Sequence, residues 1–107
     1  MLTFRSGALF VILSVHRFIP GTLIVSAGVT QLEQQGRLFA ATHLANHLKG
    51  EWGVVDRHER SRNETALRDG GCLVSRYHVA GDRYLCIITK ADRSATWLHL
   101  DSESLIT

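Results

Sequence analysis

The sequence predicts an α+β fold, with two or three helices packed on one face of an antiparallel sheet of at least three strands whose C-terminal part is a meander. Three observations carry this expectation. Apolar residues recur at three- and four-residue steps between Arg37 and Lys49, the pattern switches to alternation from Cys72 onward, and turn residues divide the alternating half into three segments. The 107 residues, 45% apolar and 21% charged, are those of one globular domain: enough for a single core, too few for a second domain or a large enclosed cofactor cavity.

The run Gly7-Ala8-Leu9-Phe10-Val11-Ile12-Leu13-Ser14-Val15, preceded by Arg5, is strongly apolar. It is well short of the ~20 residues that a membrane span needs. His16 and Arg17 interrupt it, and the small-residue site Val25-Ser26-Ala27 lies too far on for signal cleavage. Residues 1–16 are therefore read as an apolar extension, an upstream start or an added strand, residues 17–107 as the α+β domain, and the chain as cytoplasmic. The stretch Phe18 to Val25, broken by Pro20-Gly21, is expected to form a short strand or an irregular arm.

Thr30 to Gln35 is helix-compatible and ends at Gly36. Arg37 to Lys49 is the clearest helix, with Leu38, Ala41, Leu44, Ala45 and Leu48 on one face and Gly50 placed to cap its end. Trp52-Gly53 falls in the connection. A further helix starts at Asp56 as N-cap, has Glu59 three residues on as in a capping box, and runs to Arg68 before Asp69-Gly70-Gly71 stops it. The strands are then Cys72 to Val79, Arg83 to Thr89 and Ala95 to Asp101, joined by Ala80-Gly81-Asp82 and Ala91-Asp92-Arg93-Ser94.

Composition limits the function classes. Twelve Lys and Arg, ten of them Arg, against ten Asp and Glu leave a net charge of +2, too small to announce a nucleic-acid binder. Cys72 and Cys86 lack the paired spacing of a zinc module or a disulfide scaffold and are read as buried thiols rather than nucleophiles. His43 and His47 have the i, i+4 spacing of a metal pair, but on the expected wheel they lie opposite the apolar stripe, with no evident third ligand. No metal site and no cofactor is expected. The run from Asp56 to Glu64 reads as a solvated helix face; its functional alternative is an edge of Arg57, Arg60, Arg62 and Arg68 against an acidic partner.

The alternating half is the most informative. With the turns so placed, Leu73, Tyr77, Val79, Leu85, Ile87, Leu98 and Leu100 share the core face, and Val74, Arg76, His78, Tyr84, Cys86, Ile88, Trp97 and His99 share the other. The second set is rich in aromatic, imidazole and guanidinium groups. Either the N-terminal apolar segment covers it, or it binds something. Arg76, Tyr84 and Trp97, with Trp52 and Arg93 beside them, suit a protein hot spot. The same face also suits stacking of single-stranded nucleic acid. A metal-independent ribonuclease would draw on Arg76, His78, Tyr84 and His99, with His78 or His99 moving a proton and the guanidinium meeting phosphate charge.

Four stretches, Gly50-Glu51-Trp52-Gly53, Asn63-Glu64-Thr65-Ala66-Leu67, Gly70-Gly71-Cys72-Leu73-Val74-Ser75-Arg76-Tyr77 and Ile87-Ile88-Thr89-Lys90-Ala91-Asp92-Arg93-Ser94-Ala95-Thr96, resemble a family of small bacterial proteins carried on plasmids and other mobile elements. The resemblance spans residues 17 to 101, and its most specific piece is Ala91 to Thr96. It implies a genomic setting, the meander and the helices, and brings no catalytic residue. This chain departs from the pattern at Lys90, where the family carries an acid, and at Leu100 to Leu105, where the family ends in a leucine-proline-glutamate-tyrosine type of sequence. The combined expectation is a non-enzymatic accessory protein of mobile elements that binds a host or element-encoded protein partner through the sheet face and the Arg93 turn, with inhibition of a host defence system as one such role. An exposed apolar strand within the first 16 residues would also allow a homodimer by edge pairing.

Overall fold

The computed structural model describes residues 16–103. The expected strand or segment at residues 1–15 lies outside them. The order is β1 (Thr22–Val25), α1 (Ala27–Gln34), α2 (Ala40–Lys49), α3 (Arg57–Asp69), β2 (Leu73–His78), β3 (Tyr84–Thr89) and β4 (Ala95–Leu100). The fold is α+β, as the periodicities predict.

The meander is antiparallel and its register is the expected one: Val74 opposes Ile88, which opposes Trp97, and Arg76 opposes Cys86, which opposes His99. The arm from Phe18 resolves into β1, which adds to β4 in parallel, so the full sheet is mixed, with order β1-β4-β3-β2. Its entry is set by Gly21, whose φ of 67° and contact with the Ser94 backbone leave no room for a side chain.

Each helix begins where a side chain can accept its free N–H groups. Ser26 Oγ accepts from Val29 N–H at α1, Glu33 Oε2 accepts from Ala40 N–H at α2, and Asp56 forms the expected capping box with Glu59 at α3. The first helix therefore starts earlier than Thr30. Gly50, at φ 84°, closes α2 as expected.

Val29 and Leu32 of α1 and Ala40 and Leu44 of α2 pack on Tyr77, Leu85, Ile87, Leu98 and Leu100 of the sheet. A second cluster joins Ala66 of α3 to Leu73 and Trp52, with Phe18, Val55 and Leu67 around them. The outer edge of β2 is sealed within the chain. Arg76 N–H donates to Trp52 O, Val54 N–H donates to Arg76 O, and the Asn63 side chain exchanges two bonds with the Val74 backbone, at 2.8 and 3.0 Å. This close approach requires glycine at 53, at φ 79°, because a Cβ there would collide with the Arg76 carbonyl oxygen.

The expected buried face of α2 is overturned. His43 and His47 do not lie opposite the buried face of α2; that face is Ala40, His43, Leu44, His47 and Leu48, with His47 fully buried and Ala41 exposed. The alanines at 41 and 45 had rotated the expected stripe away from the one that packs. No helix among the described residues is long and apolar enough to cross a membrane.

Candidate functional site

Two sets of residues are candidates, one inside the core and one on the sheet's outer face. The inner set is a chain of hydrogen bonds. Thr96 Oγ1 donates to Pro20 O at 2.7 Å, which leaves it to accept from Thr89 Oγ1, also at 2.7 Å. Thr89 must then accept from His47 Nε2–H at 2.9 Å, and His47 Nδ1 accepts from the Ser75 hydroxyl at 2.5 Å. Donor and acceptor counting thus assigns a neutral imidazole protonated at Nε2, every group satisfied. Phe18 and Trp52 meet the ring edge-on, at 5.2 and 5.7 Å between centroids. Burial, reinforced by the Arg93 charge, pulls the His47 pKa down to about 3. Ser75 and His47 are both fully buried, so the pair cannot meet a substrate and serves the core.

Arg93 belongs with this inner set. It sits at φ 62°, and its guanidinium donates to the carbonyls of Gly71, Lys90 and Ala91 through Nη1 and of Ala66 through Nη2, at 2.7 to 3.1 Å. It also lies 5.8 Å from the Phe18 ring centroid. Asp92 Oδ1 accepts from Ser94 N–H and fixes the turn. Trp52 is fully buried, its Nε1–H on Glu64 Oε2 at 3.2 Å, so it offers no surface to a partner. Trp52, Gly53, Asn63, Ser75, Thr89, Arg93 and Thr96 thus hold the fold together.

The outer face carries the expected set in the expected places. Ile24, Trp97, Ile88 and Val74 form one row across all four strands. His99, Cys86 and Arg76 form the next, and His78 and Tyr84 a third, their rings edge-to-face at 5.3 Å. His78 is exposed and the other members of β2, β3 and β4 on this face are half-buried. Arg76 is held 3.6 Å from Glu59 of α3. His99 Nδ1–H donates to Leu100 O at 2.9 Å. Burial pushes the Cys86 thiol up, only partly offset by Arg76, so it is no ready thiolate. Cys72, by contrast, is exposed rather than buried as expected. Beyond Val74 the face opens into a groove of about 350 Å³ between α3 and the start of β2, lined by Arg62, Asn63, Ala66, Gly71 and Cys72 among others.

The described residues contain no group of three His, Cys, Asp or Glu side chains placed to hold a metal. Arg57, Arg60, Arg62 and Arg68 are exposed on α3 and form no ion pair among the described residues, while Glu64 is taken by Arg17 at 2.9 Å. The inner network was missed at the sequence level, although Ser75, Thr89 and Thr96 all fall on core-face positions. Three hydroxyls there call for a polar partner from the covering helix. Compared with protein-family models, curated proteins and solved structures, the chain matches none.

Proposed function

We propose that the chain is a binding module that docks a protein partner on the outer face of its sheet. The observation that carries this reading is the apolar row Ile24–Trp97–Ile88–Val74 flanked by the row His99–Cys86–Arg76, with His78 and Tyr84 beyond it. Such a surface concentrates binding energy in a few large side chains, with Trp97 as the anchor. The groove beyond Val74 adds a concave seat for a partner side chain. The resemblance to proteins of mobile elements suits a cytoplasmic accessory role, in which the partner belongs to a host defence system.

Geometry weighs against the ribonuclease alternative. His78 on β2 and His99 on β4 are two strand spacings apart, about 10 Å, and offset by about 7 Å along the strands. One scissile phosphate then has at most one of these imidazoles within proton-transfer reach, with no second one to complete an acid–base pair. Arg76, the residue to meet phosphate charge, already faces Glu59.

The test is incubation of the purified chain with mixed single-stranded RNA and DNA at low and moderate salt, scoring binding and cleavage together. Neither is expected. Cleavage that disappears in a folded His78→Ala or His99→Ala variant would replace this reading with a ribonuclease. Affinity that falls steeply as salt rises would replace it with a nucleic-acid binder.

A further inference from the structure

The two edges of the sheet are treated differently. Residues 52–54 and Asn63 seal the edge at β2, whereas β1 at the opposite end pairs on one side only among the described residues. All four residues of β1 are exposed, three of them apolar: Leu23 at 46%, Ile24 at 41% and Val25 at 41%. The strand contains none of the lysines, prolines or bulges that normally blunt such an edge.

Thr22 N–H donates to Ser94 O and Ser26 N–H donates to Leu98 O, so by alternation Leu23 and Val25 turn their N–H and C=O groups away from β4. These outward groups are two residues apart and centred on Ile24. An antiparallel copy of the same strand, related by a two-fold axis through Ile24, meets all of them: Leu23 exchanges a bond pair with the copy's Val25, and Val25 with the copy's Leu23. Every cross-strand pair is then apolar, Leu23 on Val25 on the helix side and Ile24 on Ile24 on the outer side. The arrangement is isologous, as a two-fold dimer demands.

We propose that β1 is a homodimer edge, joining two copies of this chain into one eight-stranded sheet through antiparallel β1 pairing about Ile24. The outer apolar row of one copy then continues through Ile24 into that of the other, doubling the face across the two-fold. Four residues a side bury less than the ~1,000 Å² expected of a tight interface, so the dimer is a concentration-dependent one. The inference stands on the edge of the sheet and is independent of which partner the outer face takes.

Sedimentation equilibrium on the full chain, over micromolar to millimolar concentration, tests it together with the variants Ile24→Lys and Ile24→Glu. Ile24 is exposed, and circular dichroism verifies that each variant is folded. The mass is expected to rise from 11.9 kDa toward twice that for the natural chain, to stay at the monomer value for either variant alone, and to rise again when the two are mixed, because opposite charges then face each other at the axis. A natural chain that stays monomeric throughout, a dimer that Ile24→Lys leaves intact, or a mixture that behaves like its components would each overturn the proposal.

Discussion

A neutral imidazole at the centre of the core ties the stability of this protein to pH. His47 has an ordinary pKa of 6.5 once unfolded and about 3 when folded, so below pH 6.5 the unfolded chain takes up a proton that the folded chain refuses. The stabilisation is complete above about pH 6.5 and falls as pH drops toward 3, at up to about 1.4 kcal/mol per unit. Burial lowers His43 and His16 as well, in the same direction. Glu64, Asp92 and Glu103, all held below the usual carboxylate range, add their own losses only as pH falls through and below about 4.5. Urea midpoints between pH 7.5 and 5 thus isolate the histidines; they should hold to about pH 6.5 and fall below it, and a profile flat down to pH 5 would contradict a neutral buried His47. Arg93 is the other residue-scale device. Replacing it by Ala removes a guanidinium shared among four carbonyls and leaves a Cβ at positive φ, whereas Arg93→Gly loses only the first. Both should destabilise, the Ala variant by about 1 kcal/mol more, as read from thermal or urea unfolding.

At the scale of elements, side chains distant in sequence stitch helices to the sheet. The Asn63 amide imitates a neighbouring strand by bonding both the N–H and C=O of Val74, and it is buried. Asn63→Ala would leave those two backbone groups unpartnered and should cost about 2–4 kcal/mol in urea unfolding, against under 0.5 kcal/mol for Thr65→Ala on the exposed side of the same helix. Glu103 works similarly at α1. Burial pushes its carboxyl up, but bonds from Ser26 Oγ, Leu100 N–H and Gly28 N–H outweigh this and hold it ionised at the helix N-terminus. These ties explain what could and could not be read beforehand. Both helices with local signals, the α2 cap at Gly50 and the α3 box at Asp56, were legible, as were the three meander strands and their register, because turns and alternation are local. The α1 start has a local cap in Ser26, missed at the sequence level, and a strand near β1 was one of the two expectations for Phe18 to Val25; what no local signal carries is the tie to Glu103, 77 residues after Ser26, and the parallel partner more than 70 positions on. The rotation of α2 was hidden because alanine counts as apolar wherever it falls, while a histidine with two hydroxyl partners counts as polar even in the core.

For the whole molecule, helices α1 and α2 take one face of the sheet, α3 with the 52–54 segment takes one edge, and β1 has a strand partner on one side only among the described residues. The composition of the outer face was legible because it follows from register alone. What separated contact residues from fold-holding ones was not: Trp52 and Arg93 share a residue type with the hot spots of interfaces, yet one is enclosed and the other is spent on carbonyls. Trp97 and Tyr84 remain partly open and carry the binding claim. The most direct test is affinity capture from nuclease-treated extracts of the cells that produce the chain, comparing the natural chain with folded Trp97→Ala and Arg57→Ala variants. A protein is expected to be retained in stoichiometric amount by the natural chain and by Arg57→Ala, and lost from Trp97→Ala. Retention unchanged by Trp97→Ala, or retention that nuclease abolishes, would contradict it.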